Sequence, residues 1–420
     1  MTKEDRPKVA LITSNFWPER TGIGQVTTEF AQYLSGEGID VTVATALPYY
    51  PEWKIYPEYR GMLGMTEKLG DITIHRAWHL IRPAPRLANR LAHELSLCSF
   101  AVPQIARALR GADAAYIFSP DLSLAFTASV IARAVNVWHA LVIQDVMPDA
   151  ALELGMLTNP RAIQLSKWMA REMYDAADEI FTLGEGMRKK IERDTRRHEK
   201  ISILRNTVNA AELAPGNGQG KPFRERFVPD DTFAVVHAGN MGKKQDLDLL
   251  LRTAQRLQSR SDIRFYVFGD GAVKDEFMRQ RAASGLANVE IFPFQPREMV
   301  PHMLFGADVV LVSQLPEVID TVVPLKLITA MAAGAMIVAA CAPESDTAKL
   351  VNASGGGMTI PASDDGALSR ALLAIKNGEI DTTRYRTAAR EYATAHFDRH
   401  ATYGPHAAAI RSRSRIRQHG

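Results

Sequence analysis

Only two cysteines occur in 420 residues, Cys98 and Cys341, and they stand far apart. That excludes a disulfide framework and fits a reducing compartment. No stretch approaches the roughly 20 apolar residues that a spanning helix requires, so no membrane span is expected. The opening residues, MTKEDRPKVALITS, lack the long apolar core of a signal peptide, and a cytoplasmic location is expected. Charge of one sign is scarce too. Fifty Lys and Arg against 47 Asp and Glu leave +3, which gives no reason to expect a nucleic-acid partner.

What is present is a soluble globular composition, 46% hydrophobic and 23% charged, on a chain long enough for two domains of about 200 residues. In the first half, strand-like runs (VALITS, DVTVATA, DITIHRAW, AAYIFS, ALVIQD, EIFTLG) alternate with helix-like segments such as LAFTASVIARAV. Such alternation predicts a mostly parallel sheet covered on both faces. The glycine-rich run APGNGQGKPFRERF marks a break near residues 206–230. After it the pattern restarts with FAVVHAGN, IRFYVFGDG, VEIFPF, ADVVLVSQ, AMIVAA and GGMTIPA. The expected class is α/β, with two Rossmann-like doubly wound domains facing an interdomain cleft. Residues 1–205 form the first, 206–395 the second, and 396–420 a C-terminal helix and basic tail. Strand C-termini should line the cleft, where such folds bind ligands.

The stretch TSNFWPERTGIGQVTTEF, residues 13–30, places Gly22 and Gly24 where a strand hands over to a helix. Glycines there point to a tight turn or a close approach, and free N–H groups at a helix start suit an anion. The loop is not a dinucleotide fingerprint. Thr27 stands where glycine or alanine is wanted, and the second strand ends without an acidic residue. Further on, Arg82, Arg86 and Arg90 repeat every four residues, as do Leu87, Leu91 and Leu95. The segment reads either as a basic amphipathic helix on an anionic membrane or as a surface helix with a solvated edge. Arg411, Arg413, Arg415 and Arg417 read as a solvated tail.

Six segments in order carry a resemblance: TGIGQVTTEFAQYL, LPYYPEW, IQDVMPDAALELGML, HAGNMGKKQDLDLLL, FGDG and VPLKLITAMAAG. Together they resemble the GT-B glycosyltransferases of family 4, over about residues 9–395, and most of all the bacterial exopolysaccharide branch. The resemblance implies a GT-B fold and transfer of a sugar, with retention, from a nucleotide-sugar donor, UDP- or GDP-linked. It implies a polyprenyl-diphosphate-linked saccharide acceptor at the inner face of the membrane, and so a peripheral membrane enzyme. No cofactor or metal is implied. The first domain would hold the acceptor, with Tyr49, Tyr50 and Trp53 of the aromatic loop contacting it. The second would hold the donor through Gly239, Asn240, Lys244, Gly269, Lys326 and Thr329, with Gly22 and Gly24 facing its diphosphate. A leaving diphosphate develops negative charge, which lysines and N–H groups at helix starts can stabilise without a metal.

The chain departs from the wider family at its paired glutamates. Thr321 and Thr329 occupy those places, and Asp320 and Glu317 are the carboxylates available to contact the donor sugar. Asp145, at a strand end, is the candidate to orient the acceptor hydroxyl or accept its proton, or else it caps a turn. Asp246 and Asp248 read as acidic residues suited to a helix start rather than as a metal site. A sugar-nucleotide epimerase of the same shape and a non-catalytic nucleotide-sugar-binding protein stay open as alternatives.

Overall fold

The computed structural model describes residues 6–19, 22–50, 52–82, 87–149, 159–214, 216, 219–319 and 323–419. The chain divides into two compact units: Met1–Arg205 with Thr402–Gly420, and Asn206–Ala401.

The first unit holds strands β1 (Lys8–Ile12), β2 (Asp40–Ala46), β3 (Gly64–Leu69), β4 (Ile72–Ala77), β5 (Ala114–Ser119), β6 (His139–Ile143), β7 (Glu179–Thr182) and β8 (Ile201–Ile203). They form one sheet in the order β3-β4-β2-β1-β5-β6-β7-β8. All neighbours pair in parallel except β3, which runs antiparallel to β4 at the edge. Helices α1 (Ile23–Gly36), α2 (Leu87–Leu109), α3 (Leu122–Ala134), α4 (Pro160–Ala176) and α5 (Glu185–Glu192) provide crossovers. Chain order reverses between β1 and β5, so the loops after β1, β2, β5 and β6 share the edge at the switch point.

The second unit has β9 (Phe233–Ala238), β10 (Ile263–Phe268), β11 (Val289–Phe292), β12 (Val309–Ser313), β13 (Ile337–Cys341) and β14 (Met358–Pro361), all parallel, in the order β11-β10-β9-β12-β13-β14. Its helices are α6 (Lys221–Phe227), α7 (Leu247–Arg256), α8 (Lys274–Ala283), α9 (Met299–Gly306), α10 (Leu325–Ala332), α11 (Asp346–Ser354), α12 (Asp365–Lys376) and α13 (Thr382–His396). The strands are mostly apolar because both faces are covered. In β9, Ala234 and Val236 enter one core while Phe233 and Val235 enter the other. In α7, Leu247, Leu250, Leu251 and Ala254 recur at helical spacing and are buried together.

The last helix, α14 (Arg399–His419), corrects the reading of the C-terminus as a solvated tail. Tyr403, Ala407 and Ile410 fall on one helical face and are buried in the first unit's core with Phe30 and Tyr116. Arg411 pairs with Glu37 at 2.7 Å, and the Arg413 guanidinium lies 3.7 Å from the Trp138 ring centre. These arginines anchor the helix to the unit.

Candidate functional site

In the first unit the glycine loop is built around a carboxylate. Glu19 is buried, and its Oε1 accepts the N–H groups of Tyr49 and Tyr50 at 2.7 and 2.8 Å. Its Oε2 accepts Asn15 Nδ2 at 2.9 Å. Burial raises the pKa of this group, and the two backbone N–H bonds pull it back. Gly22 starts α1 at φ 60°, in the left-handed region. A Cβ on Gly24 would lie 3.0 Å from Glu19 Cβ and 3.1 Å from its carbonyl oxygen, so Gly24 is glycine because α1 begins directly against Glu19. Thr27 also has its reason: its hydroxyl donates to the Asn15 carbonyl at 2.9 Å and ties helix to loop. The missing side chain faces a residue of the same loop, and that residue is an acid.

Glu19 was not among the sequence candidates. A lone acid between Pro18 and the glycines was the available signal. Arg76, fully buried on β4, donates to the Trp17 and Ala46 carbonyls and pairs with Glu67, joining the starts of the two loops.

Of the acceptor candidates, Tyr49 is buried, with its ring centre 4.8 Å from that of His79, 5.0 Å from His93 and 5.6 Å from Trp53. Its ring belongs to the interior, which corrects its expected place on an acceptor surface. Tyr50 is exposed and Trp53 half-buried at a positive φ of 52°. Asp145 is exposed two residues past β6, on the edge shared with the glycine and aromatic loops. Arg82 is exposed just before α2, whereas Arg86 and the side chain of Arg90 lie outside the described residues. Leu95 and Val102, seven residues apart on α2, are exposed. No helix among the described residues is long and apolar enough to cross a membrane.

The second unit's site lies where its strand order reverses, between β9 and β12. Two glycine turns meet there backbone to backbone. A Cβ on Gly269 would lie 2.0 Å from the Gly239 carbonyl oxygen, and one on Gly271 would lie 2.5 Å from Asn240 Oδ1. Gly239, at φ 132°, also lets Lys326 pass: a Cβ there would meet Lys326 Cε at 3.2 Å. Lys326, in the first turn of α10, points its Nζ at Gln245 Oε1, 2.9 Å away, and at His237 Nε2, 3.3 Å away. No carboxylate among the described residues pairs with it. Burial lowers its pKa to about 8. His237 is fully buried, and both burial and Lys326 hold its pKa well below the usual histidine range, so the ring is neutral and can accept from the ammonium. The lone histidine in FAVVHAGN was a legible signal for this partner, but Gln245 had none.

Lys244 is exposed, and its carbonyl accepts the Leu315 N–H at 3.2 Å. Asp246 caps α7 by accepting the Leu249 N–H at 3.0 Å, and it also accepts the Ser363 hydroxyl at 2.5 Å. This is the helix-start role read for Asp246 from the sequence, and it takes up one of the N–H groups at the α7 terminus. The start of α10 has no side-chain cap. Thr329, three residues after Lys326 on the same face, donates its hydroxyl to the Leu325 carbonyl at 2.8 Å. Glu317 is exposed after β12, and Asp320 lies outside the described residues.

Residues 232–377 match the family model described as "Glycosyl transferases group 1", and residues 21–207 the "Glycosyl transferase 4-like domain". The two matches mark the chain as a glycosyltransferase with a domain of each kind. This glycosyltransferase is 28% identical over 401 residues to WcaI of Escherichia coli K12, a glycosyl transferase assigned to colanic acid biosynthesis, covering 93% of the chain and 97% of that relative. Its fold is that of solved GT-B glycosyltransferases. It matches HepE of Anabaena, solved with UDP, at a TM-score of 0.69 and 13% identity, over 96% of this chain and 99% of that one. It also matches WaaG, a glycosyltransferase involved in lipopolysaccharide biosynthesis, at 0.67 and 14%, over 96% and 99%.

Proposed function

We infer that this glycosyltransferase moves a sugar, with retention and without a metal, from a UDP- or GDP-sugar to a polyprenyl-diphosphate-linked saccharide in cell-surface polysaccharide synthesis. The observation that carries the donor half is Lys326, a desolvated ammonium with two neutral acceptors and no described counter-ion. A buried cation of this kind is costly until an anion joins it, and a nucleotide-sugar diphosphate supplies one. The uncapped start of α10 and the exposed Lys244 add to the same field. As the bond between sugar C1 and the diphosphate oxygen breaks, these groups hold the departing charge. The acceptor oxygen bonds to C1 and loses its proton to Asp145, the exposed carboxylate at the first unit's switch-point edge. HepE, with its bound UDP, supports a nucleotide donor, and the assignment of WcaI supports a polysaccharide product.

UDP and GDP titrations of Lys326→Ala and Lys244→Ala test the donor half. Losing one charge-assisted contact of about 1.5–3 kcal/mol weakens binding roughly 10- to 150-fold, and wild-type affinity in both variants refutes the reading. Membrane attachment through Arg82, Arg86 and Arg90 is tested by flotation with anionic vesicles. Each arginine adds roughly 1 kcal/mol, so the triple glutamine variant should be released, and salt should release the wild type.

A further inference from the structure

We propose that His237 and Gln245 are positioning residues that hold the Lys326 ammonium, still charged, at the place where the donor's diphosphate binds. The proposal rests on the donor reading above.

The geometry supplies three steps. Lys326 has four flexible carbons, and an unheld side chain would turn to solvent. Here it is threaded past Gly239, and its Nζ meets Gln245 Oε1 at 2.9 Å and His237 Nε2 at 3.3 Å. Two of its three N–H donors are thus used on neutral acceptors, which fix direction without cancelling charge. A carboxylate in either place would neutralise the lysine and repel a diphosphate. His237 suits the task because it is fully buried on β9 and stays neutral, and accepting the ammonium at Nε2 requires the ring proton to sit on Nδ1. Among the described residues, the titratable group in contact with Lys326 is His237, and the loop carrying Gln245 also holds the exposed Lys243 and Lys244. The remaining N–H of Lys326 and the field of its charge are left for the ligand.

The test titrates UDP and GDP into the full chain by calorimetry and follows the tighter one. His237→Leu removes an acceptor and keeps bulk, whereas His237→Asn keeps one. We expect His237→Leu and Gln245→Leu each to weaken binding about tenfold, one such contact's worth, and His237→Asn to restore it to within about threefold. The affinity of wild-type protein should fall as pH rises from 7 to 9, as Lys326 loses its proton. In His237→Leu that fall should begin at lower pH, a shift that mere loss of packing would not produce. Wild-type affinity and pH profile in His237→Leu overturn the proposal, as does an equal loss in His237→Leu and His237→Asn. Should His237→Leu fail to fold, Gln245→Leu decides alone. Undiminished nucleotide binding by Lys326→Ala, or none by wild-type protein, overturns the donor reading itself.

Discussion

Adding one methyl group at Gly24 separates a ligand role for the first glycine loop from a packing role. In Gly24→Ala the new carbon would sit 3.0 Å from Glu19 Cβ, 3.1 Å from its carbonyl oxygen and 3.4 Å from Oε2. Comfortable carbon contacts lie near 3.5–4.0 Å, so one side must move by about half an ångström. Glu19 is poorly able to do so, being held by Tyr49 N, Tyr50 N and Asn15 Nδ2 through its carboxylate and by the Phe16 carbonyl through its own N–H. Overpacking of this kind costs about 1–3 kcal/mol, offset by up to about 1 kcal/mol from the better helix propensity of alanine. The expected net loss is about 0–2 kcal/mol for alanine and larger for valine. All five tryptophans (Trp17, Trp53, Trp78, Trp138 and Trp168) belong to the first unit, so their fluorescence in urea reports that unit's unfolding. In a Glu19→Gly background the penalty at position 24 should shrink, because the Cβ met at 3.0 Å is gone while the carbonyl oxygen at 3.1 Å stays. Valine at 24 with undiminished stability and weakened UDP binding would refute the packing account and restore the ligand role.

Three further outcomes follow from the same structure. Ile410→Ala, in the returning last helix, should cost the first unit about 2–5 kcal/mol in urea, and an unchanged midpoint would show the helix to be detachable. Burial lowers the pKa of His79 to about 3 and of His406 to about 4, so the unfolded chain binds more protons as pH falls below 6.5. Stability should therefore drop from pH 7.5 to 5, by about 2 kcal/mol for each histidine, and His406→Gln should flatten the slope of the urea midpoint against pH. Gly269→Ala, whose Cβ would meet the Gly239 carbonyl oxygen at 2.0 Å, should disrupt the second unit's site, and normal UDP affinity in a folded variant would count against that turn.

Much of the fold was legible because its signals are local. Continuous apolar runs such as ADVVLVSQ marked buried parallel strands, and glycines after FAVVHA and FYVF marked the turns at their ends. Partnerships set by topology were not. Lys326 meets Gln245 and His237 from 81 and 89 residues away, and Glu19 holds backbone groups 30 and 31 residues further on. The arginine-rich C-terminus misled for a related reason. Its anchoring face is Tyr403, Ala407, Ile410 and Ser414, a stripe with little apolar weight that becomes core only when Phe30 and Tyr116 cover it. Tyr49 shows the converse: an aromatic in a loop reads as exposed until the histidines packed around it are known.

The two glycine loops look alike in sequence, each a strand end, glycines and a helix start, yet their electrostatics are opposite. Beneath the first lies Glu19, a carboxylate that accepts the N–H groups of Tyr49 and Tyr50 in the neighbouring aromatic loop. A diphosphate brought there would face a buried acid at close range. Beside the second lies Lys326, desolvated and held by neutral partners. On the donor reading proposed above, this difference in charge favours the second unit for the anionic donor. On the same reading the first unit takes the acceptor's sugar end, whose neutral hydroxyl Asp145 would meet as a hydrogen-bond acceptor without repulsion from Glu19. The glycines of the first loop then serve to seat that acid, and those of the second to let a lysine through.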